Sequence, residues 1–255
     1  MKRLLLMFSL LLPIAAFASS GLDLQTANNN LHDKKSLQRG AKLFVNYCMG
    51  CHSLQYMRYQ RMGEDIGIPK EVLEKNFMFN TDKVGELMTI SMKKADAEKW
   101  FGVAPPDLSV IARARGVDWL YTYLLSFYLD HKRPVGINNL VFKDVGMPHV
   151  LWELQGWQTM AHEEPAAEGH ESAEGHGDQG PSLTLENKAE MSAEEHHEKV
   201  NGYRRDVRDL VNFLAYVGEP MQLERRAIGK WVIFFLIVFL IVAYALKKEY
   251  WRDIH

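Results

Sequence analysis

The run Cys48-Met49-Gly50-Cys51-His52 constrains this chain more than any other stretch, because it holds the only two cysteines and places a histidine directly after the second. Residues three and four apart on a helical turn share a face. Two thiols at this spacing can therefore each form a thioether with the vinyl groups along one edge of a haem, while the following imidazole reaches the iron. Half a zinc site would call for further ligands at metal spacing, and the chain has no third cysteine to supply one. The pattern predicts one covalent haem c, attached through Cys48 and Cys51, with His52 as an axial ligand of the metal. With both thiols used in this way no disulfide is available, and the fold must rest on packing and on the cofactor.

Compartment follows from the two ends. Lys2 and Arg3 precede an apolar run over 4–16, and Ala16-Phe17-Ala18 supplies a small-x-small cleavage site, so residues 1–18 read as a signal peptide. That run is shorter than the ~20 residues needed to span a bilayer, which argues against an N-terminal anchor. Residues 227–246 are a second apolar block, about 30 Å long at ~1.5 Å per residue, and predict a transmembrane helix. Lys230 can snorkel at one end, and Trp231, Tyr244, Tyr250 and Trp251 are placed as interfacial anchors in the membrane lipid. Arg225 and Arg226 before the span are balanced by Lys247, Lys248 and Arg252 after it, so basic residues alone do not orient it. The signal peptide does: residues 19–226 are expected outside the cytoplasm and 247–255 within it. A formal net charge of −2 gives no basis for a nucleic-acid partner.

Within the exported part, residues 19–160 have the composition of one modest globular domain, expected to bind the haem. Residues 161–199 shift to Glu, His, Gly, Ala and Ser and are expected to form a flexible acidic insert, since they bury too little apolar surface to offset their ordering entropy. Histidine-rich tracts can bind transition metals, but nothing fixes the geometry of these, and a solvated linker is the favoured expectation. Residues 200–226 are expected to supply the last helix of the haem domain and a connector to the membrane.

The pattern is mainly α. Leu37, Ala41, Phe44, Val45 and Cys48 form one helical stripe after a cap at Asp33 or Ser36, leading into the cysteine motif. Gly40 interrupts that helix at a cost, which close approach of a second helix would justify; Val207, Leu210, Val211, Leu214 and Val217 offer the matching stripe, ended by Gly218 and Pro220. Residues 69–76 open as a helix with proline in the first turn, and 117–129 read as one aromatic-rich helical run. Pro105-Pro106 enforces an extended segment before Asp107, expected to cap a short helix running through Arg115.

The ligand opposite His52 sets the haem's potential more than any other protein group. Most methionines fit core or surface roles. Met147 differs, because Val145-Gly146-Met147-Pro148 pairs a glycine that permits close backbone approach with a proline that prevents helix, and so presents a side chain from a loop. Pattern alone leaves His149 and His131 as alternatives.

Taken together these motifs resemble the cytochrome c1 family, the haem subunits of cytochrome bc1 complexes, in bacterial form. Asn46-Tyr47-Cys48-Met49-Gly50-Cys51-His52-Ser53 is similar to the family's haem motif. Ala104-Pro105-Pro106-Asp107-Leu108-Ser109 with Arg113-Ala114-Arg115 is similar to its second signature, and Lys132-Arg133-Pro134 through Asn138-Asn139 to Gly146-Met147-Pro148 to its third. The resemblance implies a class I cytochrome c-like haem domain with long loops plus one C-terminal transmembrane helix. It also implies thioethers at Cys48 and Cys51, His52 and Met147 as iron ligands, Pro106 at the haem, and Arg115 paired with a propionate, with Arg113 as the alternative. Between Trp119 and Tyr121, the aromatic beside the propionate stays open. The acidic insert departs from the family pattern.

The activity implied is electron transfer within quinol:cytochrome c oxidoreductase: one electron taken from the Rieske iron-sulfur protein and passed to a soluble cytochrome c, beside a cytochrome b subunit that handles quinol. No residue is expected to act as a general acid, base or nucleophile. Two rivals are a tethered c-type cytochrome of another complex, such as a terminal oxidase subunit, and a non-redox His-rich metal-binding or adaptor protein.

Overall fold

The computed structural model describes residues 23–160 and 182–252. The expected signal peptide with residues 19–22, residues 161–181 of the expected insert and residues 253–255 lie outside them.

The core is built on two crossed helices from opposite ends of the sequence. Helix α1 (Lys34–Leu43) starts where the Asp33 carboxylate accepts the Ser36 amide, and it buries Ser36, Leu37, Gly40 and Ala41. These face the long helix Ala193–Gly218, which we number α8 in chain order, through its buried Val207, Leu210, Val211, Phe213 and Leu214. A Cβ at Gly40 would collide with the Asp209 carbonyl and lie 2.7 Å from Phe213 Cβ, so the helices meet backbone to backbone and only glycine fits. The contact is locked at its rim by Arg39, whose Nη2 donates to Asp209 Oδ1 at 3.0 Å. Asn212 Nδ2 donates to Asn30 O at 2.8 Å and to Ser36 Oγ at 3.0 Å beside it.

Short elements fill the sequence between these helices: β1 (Leu54–Arg58), α2 (Tyr59–Ile66), α3 (Lys70–Asn76), β2 (Leu87–Met88), α4 (Lys94–Phe101) and α5 (Ile111–Arg115). The helix expected over 69–76 is α3, with Pro69 at its N-cap. Asp107 does not cap α5; its carboxylate accepts the amides of Ser109 and of Gln55 on β1, and α5 begins at an uncapped Val110.

The run expected as one helix over 117–129 divides into α6 (Val117–Leu125) and β3 (Phe127–Leu129), which pairs antiparallel with β4 (Ile137–Asn139) in the register Phe127↔Asn139 and Leu129↔Ile137. The break has a tertiary cause. Apart from the Ser126 amide, which donates to Tyr123 O at 3.2 Å, the last carbonyls of α6 are taken by side chains from elsewhere: Tyr123 O by Asn139 Nδ2, Leu124 O by Tyr203 Oη, and Leu125 O by both Gln155 Nε2 and Gln158 Nε2, at 2.7–3.0 Å. Gln155 ends α7 (Trp152–Gln155), and Gln158 begins β5 (Gln158–Met160).

Part of the expected insert is structured. β5 pairs antiparallel with β6 (Leu183–Leu185), a short 3-10 turn follows at Lys188–Glu190, and α8 opens at Ser192 with a capping box closed by Glu195. Composition concealed this order because its support comes from Gln158–Met160 and from the buried Leu185, not from a local apolar run.

After Gly218 the chain turns and enters α9 (Gln222–Tyr250), none of whose residues is buried. Its 29 residues extend about 43 Å at ~1.5 Å per residue, enough to cross a hydrocarbon core of ~30 Å. It is the one helix among the described residues long and apolar enough to do so, and it contains the expected span 227–246.

Candidate haem site

The cysteine motif begins where α1 widens into a π turn over Phe44–Cys48, with Phe44, Val45 and Cys48 buried and the Phe44 ring 5.8 Å from Phe213 of α8. The amides of Cys51 and His52 both donate to the Cys48 carbonyl, at 3.0 and 2.9 Å, so the five residues wrap around one backbone oxygen. Both cysteines are free thiols. Burial, with a smaller contribution from Cys51, pushes the Cys48 thiol up to about 12.

His52 is 8% exposed, and its Nδ1 lies 2.7 Å from the carbonyl oxygen of Pro106. A carbonyl only accepts, so the ring proton sits on Nδ1 and Nε2 keeps its lone pair, the tautomer a metal ligand requires. Burial lowers the imidazole's pKa, the Pro106 bond opposing it only in part, which favours the neutral, ligating form. Pro106 is held in place by a lattice that ties its segment to the one following the motif. Leu108 N donates to Ser53 O at 2.9 Å, Gln55 N to Asp107 Oδ2 at 2.9 Å, and Tyr56 N to Ser109 Oγ at 3.2 Å. The Ala-Pro-Pro-Asp-Leu-Ser segment thus meets His52 through a proline carbonyl, with Asp107 and Ser109 as its fasteners.

From Ser109 the chain passes through α5 to the second group of expected residues. Arg113 is paired with Glu219 at 3.5 Å. Arg115 makes no ion pair among the described residues, and its guanidinium lies 5.1 Å over the Trp119 ring. Trp119 stacks on Tyr123 at 5.1 Å and 8°, and the Tyr123 hydroxyl donates to Met147 Sδ at 3.4 Å. Tyr121, by contrast, turns its hydroxyl to the Arg204 carbonyl of α8 at 3.4 Å, leaving Trp119 as the aromatic beside Arg115.

The loop carrying Met147 is organised by two buried asparagines. Asn139 Oδ1 accepts the amides of Val141 and Phe142, and Asn138 Oδ1 accepts that of Asp144, whose carboxylate pairs with Arg133 at 2.9 Å. His149 is committed to packing: it stacks on Phe127 at 4.9 Å and 7°, meets the edge of Trp157, and burial takes its pKa down to about 4. His131 is exposed. A cavity of about 530 Å³ beside Thr122, Ser126 and Tyr203 is lined by none of the six expected site residues.

The donor set fits a covalent haem: two free thiols in a Cys-x-x-Cys turn, an imidazole with its tautomer fixed and Nε2 spare, a half-buried thioether held by a hydroxyl, and an arginine without a carboxylate partner among the described residues. Tyr123 is the member that sequence reasoning missed. Its spacing of four from Trp119 carried the signal, since residues four apart lie along one helix face.

Comparison with known proteins identifies the family. The model of the Cytochrome C1 family matches residues 25–254. The chain is 50% identical over 255 residues to cytochrome c1 of Allochromatium vinosum, covering 100% of this chain and 99% of that protein. It is 46% identical over 256 residues to a protein of Nitrosomonas europaea named ammonia monooxygenase gamma subunit, again covering 100% and 99%. It is 26% identical over 257 residues to cytochrome b/c1 of Bradyrhizobium diazoefficiens, covering 88% of this chain and 34% of that longer protein.

Proposed function

This chain belongs to the cytochrome c1 family, and from that membership we propose that it works as the membrane-anchored electron-transfer subunit of a quinol:cytochrome c oxidoreductase. Cys48 and Cys51 hold one haem c through thioethers, His52 ligates the iron through Nε2, and Met147 supplies the sulfur ligand. Bound haem supplies a one-electron iron couple, and the chain contributes no general acid, base or nucleophile. The Pro106 carbonyl fixes the His52 ring, so that the ligand does not reorient between oxidation states. Arg115, with no carboxylate partner among the described residues and Trp119 beneath it, can pair with a propionate.

The observation that carries this reading is the Cys48–His52 turn with His52 Nδ1 already spent on Pro106, because it leaves one ring nitrogen for metal with no competing partner among the described residues. A relative named cytochrome b/c1, of which this chain matches only 34%, supports a cytochrome b subunit as the neighbour in the membrane. A Rieske iron-sulfur protein would then donate the electron and a soluble cytochrome c accept it. The signal-peptide pattern of residues 1–18 and the apolar helix α9 support a haem domain on the periplasmic side of the inner membrane.

The family match favours neither a terminal oxidase subunit nor a His-rich adaptor. The relative named for ammonia monooxygenase is a specific reason to include a second complex in the test. Purification of the tagged chain from detergent-solubilised membranes is expected to bring down a b-type cytochrome and a Rieske protein. Acid-acetone extraction should leave haem on the polypeptide, and Cys48→Ala should abolish quinol:cytochrome c activity. A colourless chain, or one that co-purifies with monooxygenase subunits instead, overturns the proposal.

A further inference from the structure

We infer that Tyr123 is a positioning residue for the sulfur ligand: its hydroxyl, donated to Met147 Sδ at 3.4 Å, raises the reduction potential of the haem held there. The inference rests on Met147 being that ligand.

The hydroxyl makes no other hydrogen bond among the described residues, so the thioether is its one protein acceptor. The ring cannot swing away. Trp119 stacks on one face at 5.1 Å and 8°, and Phe127 closes the other side edge-on at 5.1 Å and 68°. The backbone of Tyr123 is tied to the methionine loop as well, because Asn139 Nδ2 donates to the Tyr123 carbonyl at 2.7 Å while Asn139 Oδ1 accepts Val141 N at 2.9 Å. One buried asparagine therefore fixes the relative position of the helix that carries the hydroxyl and the loop that carries the sulfur.

The chemical consequence follows from competition for the sulfur lone pairs. A hydroxyl proton on one lone pair withdraws electron density that the sulfur would otherwise share with iron. The electron-poor oxidised iron loses more from that withdrawal than the reduced iron, so the bond favours reduction. Second-sphere hydrogen bonds of this kind are a recognised lever on haem potential. Packing does not demand the oxygen, since phenylalanine would make the same two ring contacts.

The test uses the full-length haem protein in detergent. Tyr123→Phe is expected to keep the covalent haem and the sulfur-to-iron charge-transfer band of the oxidised form. Its midpoint should fall, with a roughly threefold change in the oxidised-to-reduced ratio at fixed ambient potential, about 28 mV at 59 mV per decade for one electron. Tyr216→Phe deletes a hydroxyl bonded to Asp65 on another face of the domain, and is expected to leave the midpoint unmoved. A Tyr123→Phe protein with the band retained and the wild-type midpoint overturns the inference. Failure of the underlying ligand reading looks different: the band would be missing from wild type, or would survive Met147→Leu. If Tyr123→Phe does not accumulate, resonance Raman of wild-type protein produced in H2O and in D2O decides. A shift of the iron–sulfur stretch supports the bond, and coincident spectra overturn it.

Discussion

His52 donates its Nδ1 proton to the Pro106 carbonyl, and that bond is only as firm as the segment presenting Pro106. Asp107 is the side chain that most directly fixes the segment, since its two carboxylate oxygens accept Gln55 N and Ser109 N. Replacing it with alanine strands two backbone donors, partly relieved by water because the site is not fully buried. Asp107→Ala is therefore expected to cost about 1–2 kcal/mol and to lower the Tm followed at the main haem absorption band, while covalent haem still forms. A Tm equal to wild type would show that the proline pair alone holds the segment. The proline carbonyl itself was illegible in the sequence: Pro106 was placed at the haem by resemblance, but its role there is to orient an imidazole 54 positions away.

At the scale of elements, the α1–α8 crossing is the joint on which the cysteine motif hangs. A methyl group at Gly40 has the backbone of Asp209 and the Cβ of Phe213 in its way, neither of which is a flexible side-chain end. Gly40→Ala should separate the helices, break the Arg39–Asp209 pair and destabilise by about 3 kcal/mol, the upper part of the overpacking range. The check is the yield of covalent haem and the chemical denaturation midpoint. Nearby on α8, burial and then the charge of Asp209 raise the pKa of Asp206 above that of an ordinary carboxylate. A carboxylate with a raised folded pKa opposes folding above that pKa, and the penalty disappears below the unfolded value of ~3.9. Asp206→Asn is therefore expected to raise Tm at pH 7, with the gain over wild type shrinking as pH falls into the carboxylate range. A gain independent of pH would point to packing instead. The Gly40 approach could be anticipated from two matching apolar stripes, whereas the end of α6 could not. Its last carbonyls are closed by Asn139, Tyr203, Gln155 and Gln158, residues that no local pattern connects to it.

For the molecule as a whole, the membrane helix and the haem domain are separable. The buried core ends at Val217, and α9 contributes no buried residue to it. A chain terminated after Met221 is expected to reach the periplasm as a water-soluble protein with covalent haem and an unaltered absorption spectrum, measured after fractionation without detergent. Loss of haem or aggregation would show that α9 supports the fold. The same separability explains why the span was read from the sequence so directly: an unpartnered apolar helix must display its composition, since no tertiary contact modifies it. The region expected as one insert over 161–199 shows the opposite case, because β6 and the first turns of α8 gain their order from β5, Leu185 and a capping box.

Features whose chemistry is local were legible along the chain: the cysteine spacing that demands a haem, the apolar length that demands a bilayer, and the glycine within an apolar helical stripe. Tertiary structure alone decided which carbonyl orients His52, which arginine pairs with Glu219, where α6 stops, and which hydroxyl reaches Met147. Each of these joins one backbone or side-chain group to another through a hydrogen bond or ion pair made across the fold. Such a bond leaves no periodicity in the chain, because its two ends are brought within 3 to 4 Å only after the helices have packed.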